Sequence, residues 1–251
     1  MRNTFTTMGT VASLEVPREH MALVADVREL FERSESRFSL YRDDSELSLI
    51  ASGRATLAES SAELRDAYAS ALEWRSLTGG SFTPHRPDGV IDLNGLVKAR
   101  AIAESGALLQ AGGCLDFTIN VGGDILTGGM APRAVPWRTG ITDPAHAGDR
   151  NAAPLCSFPM SVHRAIATSG SAERGDHIWL TRSESAPEFV QVSVLADDIE
   201  TADVLATAII AAGYDFLSRA TANWDIDVLT VDRAGELLVT PGLGGMLRTA
   251  A

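Results

Sequence analysis

The segment Thr201-Ala-Asp-Val-Leu-Ala-Thr207 carries the clearest chemical signal in the chain. Asp203 and Thr207 are four residues apart, so a helix stacks them on one face. Ile199, Ala206 and Ile210 project in nearly the same direction, and from Ala202 to Ala212 the only charge is Asp203. A helix apolar nearly all round is expected to be buried. A buried carboxylate is costly without a partner, hydrogen bonds or a metal. A carboxylate and a hydroxyl together offer hard oxygen ligands, which suit Mg²⁺ better than zinc. The same spacing admits a structural alternative. Asp203 could serve the positive end of the helix, with Thr207 bonding back to a carbonyl.

Three other segments hold candidate ligand contacts. Asn120-Val-Gly-Gly-Asp124 follows an apolar run, and its paired glycines allow close backbone approach to an anion; a tight turn explains the same letters. Thr168 and Ser169, followed by Gly170, could contact a phosphate or ribose, or form an ordinary turn. Asp92-Leu-Asn-Gly-Leu-Val-Lys98 sets an acid and a base around Gly95 at an expected helix start, where free amides can bind anions. The plain alternative there is an N-capped helix with a surface lysine. The five histidines, at 20, 85, 146, 163 and 177, include no HExxH pair, and GxSxG, GxGxxG and GxxxxGK[ST] do not occur. Those absences weigh against a zincin, a serine hydrolase with a nucleophile elbow, a dinucleotide fold of the usual kind and a P-loop NTPase. Cys114 and Cys156 form no CxxC pair, so a cysteine-based zinc site is not expected.

These residues need a scaffold. The 251 residues, 45% hydrophobic and 22% charged, suffice for a substantial core, and we expect a single domain over 1–251, with two intertwined lobes as a variant. The net charge of −12 argues against a nucleic-acid partner or an anionic membrane surface. If the ligand is an anion, something local must offset this field, and a bound cation is one candidate. No apolar run is long enough to suggest membrane insertion, and without a signal-peptide pattern a cytoplasmic location is expected.

Hydrophobic periodicity predicts helices over Met21–Glu35, Ala62–Leu77, Leu96–Leu109 and Ile199–Ala212, with a short one starting at Ser45. Strands are expected over Phe5–Val16 (interrupted at Gly9), Val90–Leu93, Phe117–Val121, Arg138–Ile141, Ser161–Ile166, Ile178–Leu180 and Val190–Leu195. Ile226–Val231 and Glu236–Val239 read as a closing hairpin, and Ala147–Pro154 as a loop. The fold class is α+β, with mixed, largely antiparallel sheets and packed helices.

The order of the segments is more specific than any one of them. Met8-Gly-Thr10 is followed by Ser36-Arg-Phe38, Ser45-Glu-Leu-Ser48, Gly80-Ser-Phe82, Asp92 to Lys98, Ile119 to Asp124, Ala165 to Gly170, His177-Ile178 and Ala202 to Thr207. This succession resembles the FAD:protein FMN transferase family, the ApbE type, over roughly residues 5–215. The resemblance implies an ApbE-like fold and an enzyme that moves FMN from FAD to a Ser or Thr hydroxyl of an acceptor flavoprotein, releasing AMP. It implies Mg²⁺ as cofactor, with Asp203 and Thr207 as side-chain ligands and the Gly95 carbonyl as a third. Met8, Phe38, Ser81, Phe82, Asp92 and Lys98 match family positions that contact FAD, with Asn120 and Thr168 as further candidate contacts. His177 matches a histidine that assists deprotonation of the incoming hydroxyl.

Some positions depart from the family pattern: Thr83 stands where Asp is usual, and Ala99-Arg100 where Gly and an aromatic are usual. Ser171–Asp176 is a short connection, and His177–Thr181 lacks the usual acidic-Pro ending. They bear on substrate preference and on two alternatives. One is an FAD pyrophosphatase, with water as nucleophile. The other is a flavin-binding protein without catalysis.

Overall fold

In a computed structural model of the chain, residues 1–146, 152–170 and 187–250 are described. Strands β1 (Arg2–Thr7) and β2 (Thr10–Glu15) form a hairpin in register Thr7 opposite Thr10. The two-residue turn between them, Met8-Gly9, has φ of 47° and 69°, as the right-handed twist of a tight hairpin demands. Helix α1 (Leu23–Phe38) buries Val24, Val27, Leu30, Phe31 and Phe38. The short α2 (Glu46–Ala51) starts at Ser45, whose hydroxyl accepts the Ser48 amide at 3.0 Å. Ser61 caps α3 (Ala62–Leu77) in the same way, at 3.2 Å from the Leu64 amide.

Helix α4 (Asn94–Ala111) lies against β3 (Phe117–Val121) and β4 (Asp124–Gly128). Gly106 permits that approach, since a Cβ there would stand 2.7 Å from Leu126 Cδ2. A ribbon of β5 (Arg138–Ile141) and β6 (Cys156–Pro159) follows, then β7 (Ala165–Gly170), β8 (Phe189–Ala196), helix α5 (Ile199–Asn223), β9 (Asp227–Asp232), β10 (Leu237–Val239) and α6 (Pro241–Ala250). One eight-stranded sheet runs β1-β2-β3-β4-β7-β8-β9-β10 with every neighbouring pair antiparallel.

Strand alternation divides the core into two layers. Ala12, Leu14, Phe117, Ile119, Leu126, Ala165, Ala167, Val192 and Val194 face helices α1, α4 and α5. Ile166, Leu195, Leu229 and Val231 face the opposite way, against Ile141 and Phe158 of the ribbon and Leu243 and Met246 of α6.

The break in α5 follows from this topology. Leu195 pairs with Asp227, so the chain re-enters the sheet beside the point it left. A straight 25-residue helix would carry it about 37 Å away at 1.5 Å per residue. Gly213, at φ 72° and ψ −152°, breaks the helix. The Glu188 carboxylate then accepts the Tyr214 amide at 2.6 Å, serving the start of the second half.

The expected α+β class and antiparallel pairing hold, and several boundaries move. Val90–Leu93 forms no strand beyond an isolated bridge between His85 and Ile91, because the chain already turns there into α4. The strand expected over Ser161–Ile166 instead runs Ala165–Gly170. Its Thr-Ser-Gly end has turn-like composition, yet it pairs with β8 through Gly170 opposite Gln191. Helix α5 extends beyond Ala212, and β4, β6 and α6 are further elements of the fold. The expected strand Ile178–Leu180 and most of the loop Ala147–Pro154 lie outside the described residues.

Two stability predictions follow. Gly213→Ala puts a Cβ 2.0 Å from Glu188 Oε2 and a side chain into a glycine-only backbone region, at a cost of about 1–3 kcal/mol; urea unfolding should show the midpoint fall. The second concerns Glu46. Burial raises its pKa, but the Ser61 amide and hydroxyl and the Arg37 guanidinium outweigh this and hold the carboxyl below its usual range. A carboxyl depressed in the fold stabilises it above the unfolded value, and that contribution disappears as pH falls through the folded one. The side chain is 32% exposed, so Glu46→Gln should cost about 1 kcal/mol or less at pH 7. The difference from wild type should shrink as pH drops below about 4.3.

Candidate active site

Among the described residues, the sequence-derived candidates gather at one end of the large sheet. The β1–β2 turn holding Met8 lies beside the β3–β4 turn, where the Gly122 amide donates to the Val11 carbonyl at 3.2 Å. That second turn needs glycine, since Gly122 and Gly123 have φ of 61° and 98°. Asn120 braces it, its Oδ1 accepting the Gly123 amide at 3.1 Å. Asp124 opens β4 and reaches across to β7, accepting the Thr168 amide at 3.1 Å.

Helix α4 meets this end with its first turns. Asp92 Oδ1 accepts the Asn94 amide at 2.9 Å, bracing the helix start. Lys98, one turn in, is no surface lysine: it is 7% exposed and ion-paired with the fully buried Asp124. Gly95 sits under Phe82, where a Cβ would come within 3.1 Å of the ring. Phe82 is itself buried and held by its amide, which donates to Thr78 Oγ1 at 3.1 Å. Ser81 beside it is half-buried.

Asp203 and Thr207 occupy the first half of α5. The structural alternative for Asp203 does not apply, because Asp198 caps the helix, accepting the Thr201 amide at 2.8 Å and its hydroxyl at 2.9 Å. Asp203 lies a turn further in and is 4% exposed. Thr207 is half-buried on a stretch that is otherwise buried from Ala202 to Ala211. Its hydroxyl meets Ser169 Oγ at 3.2 Å. Alternation along β7 separates the neighbours Thr168 and Ser169. The Thr168 hydroxyl bonds Ser193 Oγ at 2.8 Å, while Ser169 turns toward α5.

The donor set fits a hard cation. Asp203 offers carboxylate oxygen and Thr207 a hydroxyl. Gly95, second in α4, offers a carbonyl whose second lone pair is left over by intrahelical bonding. Among the described residues no group of three or more His, Cys, Asp or Glu could hold a metal.

Met8 is half-buried against the helix-side core, and Phe38 is buried at the end of α1. His177 lies outside the described residues. Strand alternation decides between the two candidate hydroxyls of β7 and gives Ser169 to α5. Two further residues of this region were not site candidates from the sequence, and Asp124 shows there only as the end of a turn. Glu35, which accepts the Met8 amide at 3.1 Å, has no local signal. Two departures from the family pattern have local explanations. Arg100 Nε pairs with Glu200 at 3.1 Å, and Glu200 also takes the Trp74 indole at 2.7 Å and the Ser70 hydroxyl at 3.2 Å, tying α3, α4 and α5 together. Ala99 is fully buried in that packing. Thr83 Oγ1 accepts the His85 amide at 3.3 Å.

The sequence profile of the ApbE family matches residues 8–86 and 85–229. The chain belongs to the ApbE family. A FAD:protein FMN transferase of Rhodobacter capsulatus is 30% identical over an alignment of 183 residues that covers 68% of this chain and 34% of that protein. The matched region thus spans about a third of that relative. The ApbE protein of Thermotoga maritima shares the fold at a TM-score of 0.80 and 19% identity, covering 99% of both chains. The flavin transferase ApbE of Vibrio cholerae does so at 0.77 and 22% identity, covering 98% of this chain and 99% of that one.

For this ApbE chain the buried pair gives a direct test. Asp124→Ala strips Lys98 of its partner and the Thr168 amide of its acceptor. The expected loss is about 3–5 kcal/mol, as for other buried pairs broken on one side. The double variant Asp124→Ala/Lys98→Met should lose clearly less than the two single losses combined, by chemical denaturation. Additive losses would show that the two charges do not depend on one another.

Proposed function

We propose that the chain is a Mg²⁺-dependent FAD:protein FMN transferase that moves FMN to a Ser or Thr hydroxyl of an acceptor flavoprotein and releases AMP. The observation that carries this reading is the meeting of Thr207 and Ser169 hydroxyls at 3.2 Å, one helical turn from buried Asp203, in a chain of the ApbE family. The name of the Rhodobacter relative supports the activity.

The charge balance supports a cation. FAD brings a pyrophosphate to a protein of net charge −12. Lys98, at the same end of the sheet, is already neutralised by Asp124. Asp203, Thr207 and the Gly95 carbonyl would hold Mg²⁺, which supplies charge neutralisation and polarisation of the scissile P–O bond.

In the proposed step the acceptor oxygen forms a bond to the FMN phosphorus as the pyrophosphate P–O bond breaks, and AMP leaves with the electron pair. The acceptor proton passes to a base, for which His177 is the sequence candidate. Catalysis of this kind rests on positioning and electrostatics. The twin-glycine turn lets backbone approach the anion, and Asn120 keeps that turn in shape. Met8, Phe38, Ser81 and Phe82 are the proposed nucleotide contacts. Asp92 and Lys98 support that wall through the start of α4, and Thr168 supports it through β7.

Incubation with FAD, Mg²⁺ and a flavoprotein domain bearing an exposed loop Thr should add the mass of FMN to that domain. Asp203→Ala should slow this at least 100-fold, a loss of about 2.7 kcal/mol or more in transition-state stabilisation, and chelation of the metal should do the same. Free FMN and AMP formed with no acceptor present would instead indicate a pyrophosphatase. FAD recovered intact in both assays would reject the enzymatic reading.

A further inference from the structure

The turn that presents Met8 is held by a residue outside every motif. Met8 has φ of 47°, a left-handed conformation that a residue with a Cβ adopts only under constraint. The constraint is visible. The Met8 amide donates to Glu35 Oε2 at 3.1 Å, and the Thr7 hydroxyl donates to the same oxygen at 3.3 Å. Thr7 is 5% exposed, so this second bond is largely sheltered from water. Glu35 stands on α1 three residues before Phe38, and on a helix that spacing puts the two on one side, one turn apart. One carboxylate therefore fixes the hairpin turn relative to the end of α1. Arg28 adds a second tie between the same elements, donating to the Thr4 carbonyl at 3.1 Å, further from the turn.

We infer that Glu35 is a positioning residue for FAD, acting through Met8: it locks the left-handed turn so that the Met8 side chain and Phe38 form one preorganised wall of the flavin-nucleotide site. The inference rests on the proposed FAD-binding function. A thioether on three rotatable bonds is adaptable by itself, and fixing its backbone lowers the ordering cost of binding. Glu35 touches no reacting atom in this scheme, so its loss should weaken binding while the chemistry of bound substrate is retained.

The test is FAD affinity of the full chain with MgCl₂, by calorimetry, for wild type, Glu35→Ala, Glu35→Gln, Met8→Ala and the Glu35→Ala/Met8→Ala double variant. Glu35→Ala should weaken FAD binding about tenfold, equivalent to about 1.4 kcal/mol. Glu35→Gln, whose amide oxygen still accepts both bonds, should stay within about threefold of wild type. Met8→Ala should weaken binding, and adding Glu35→Ala to it should change little, because the two act through one element. If Glu35→Ala does not fold, Glu35→Asp keeps the charge and withdraws the oxygen by one methylene, and should also weaken binding. Wild-type binding with unchanged affinity in the Glu35 variants overturns the positioning role alone, as does full additivity with Met8→Ala. A wild-type chain that binds no FAD overturns the functional reading on which it rests.

Discussion

The candidate site depends above all on one buried carboxylate. Asp124 is fully buried, and two elements converge on it: the Lys98 ammonium from α4 and the Thr168 amide from β7. A lone charge in that position would be strongly disfavoured, so α4, β4 and β7 are committed to one arrangement. That commitment brings the start of α4 to the sheet end and sets the terminal register of β7. The register in turn sends Ser169 toward α5 and Thr168 toward Ser193. A position shift of one residue would exchange them.

Around this pair, the other constraints decide where backbone can approach a ligand. The turn after β3 is built from two left-handed glycines braced by Asn120. The turn after β1 uses a strained methionine held by Glu35. Helix α5 can present Asp203 and Thr207 at this end and still return the chain beside β8 only because it breaks at Gly213. Its apolar character belongs to the sheet and helices packed round it, with Glu200 pinning its first turn to Trp74, Ser70 and Arg100.

Charge is distributed so that local balance differs from the global one. The chain carries −12 overall, and Lys98, the motif base, is consumed by an internal partner. In the proposed function, an anionic nucleotide at this end of the sheet would meet backbone amides and the oxygen donors of α5. This is the physical basis for proposing a divalent ion between protein and pyrophosphate.

Local pattern was enough for the helices and the α+β class, because burial of apolar stripes has a period that a sequence displays. Asp203 and Thr207 were legible as one face of an apolar helix for the same reason, and the ordered motifs carried the family. Three-dimensional contacts decided the rest. Lys98 reads as a base for an anion, or as a plain surface lysine, until Asp124, distant in sequence, claims it. Thr168 and Ser169 read as equivalent hydroxyls until the strand places them on opposite faces. Glu35 reads as one acid among 33 acidic residues until the Met8 turn folds onto it. Periodicity is written along the chain, whereas partners in an ion pair or a hydrogen bond are chosen by packing between elements far apart in sequence.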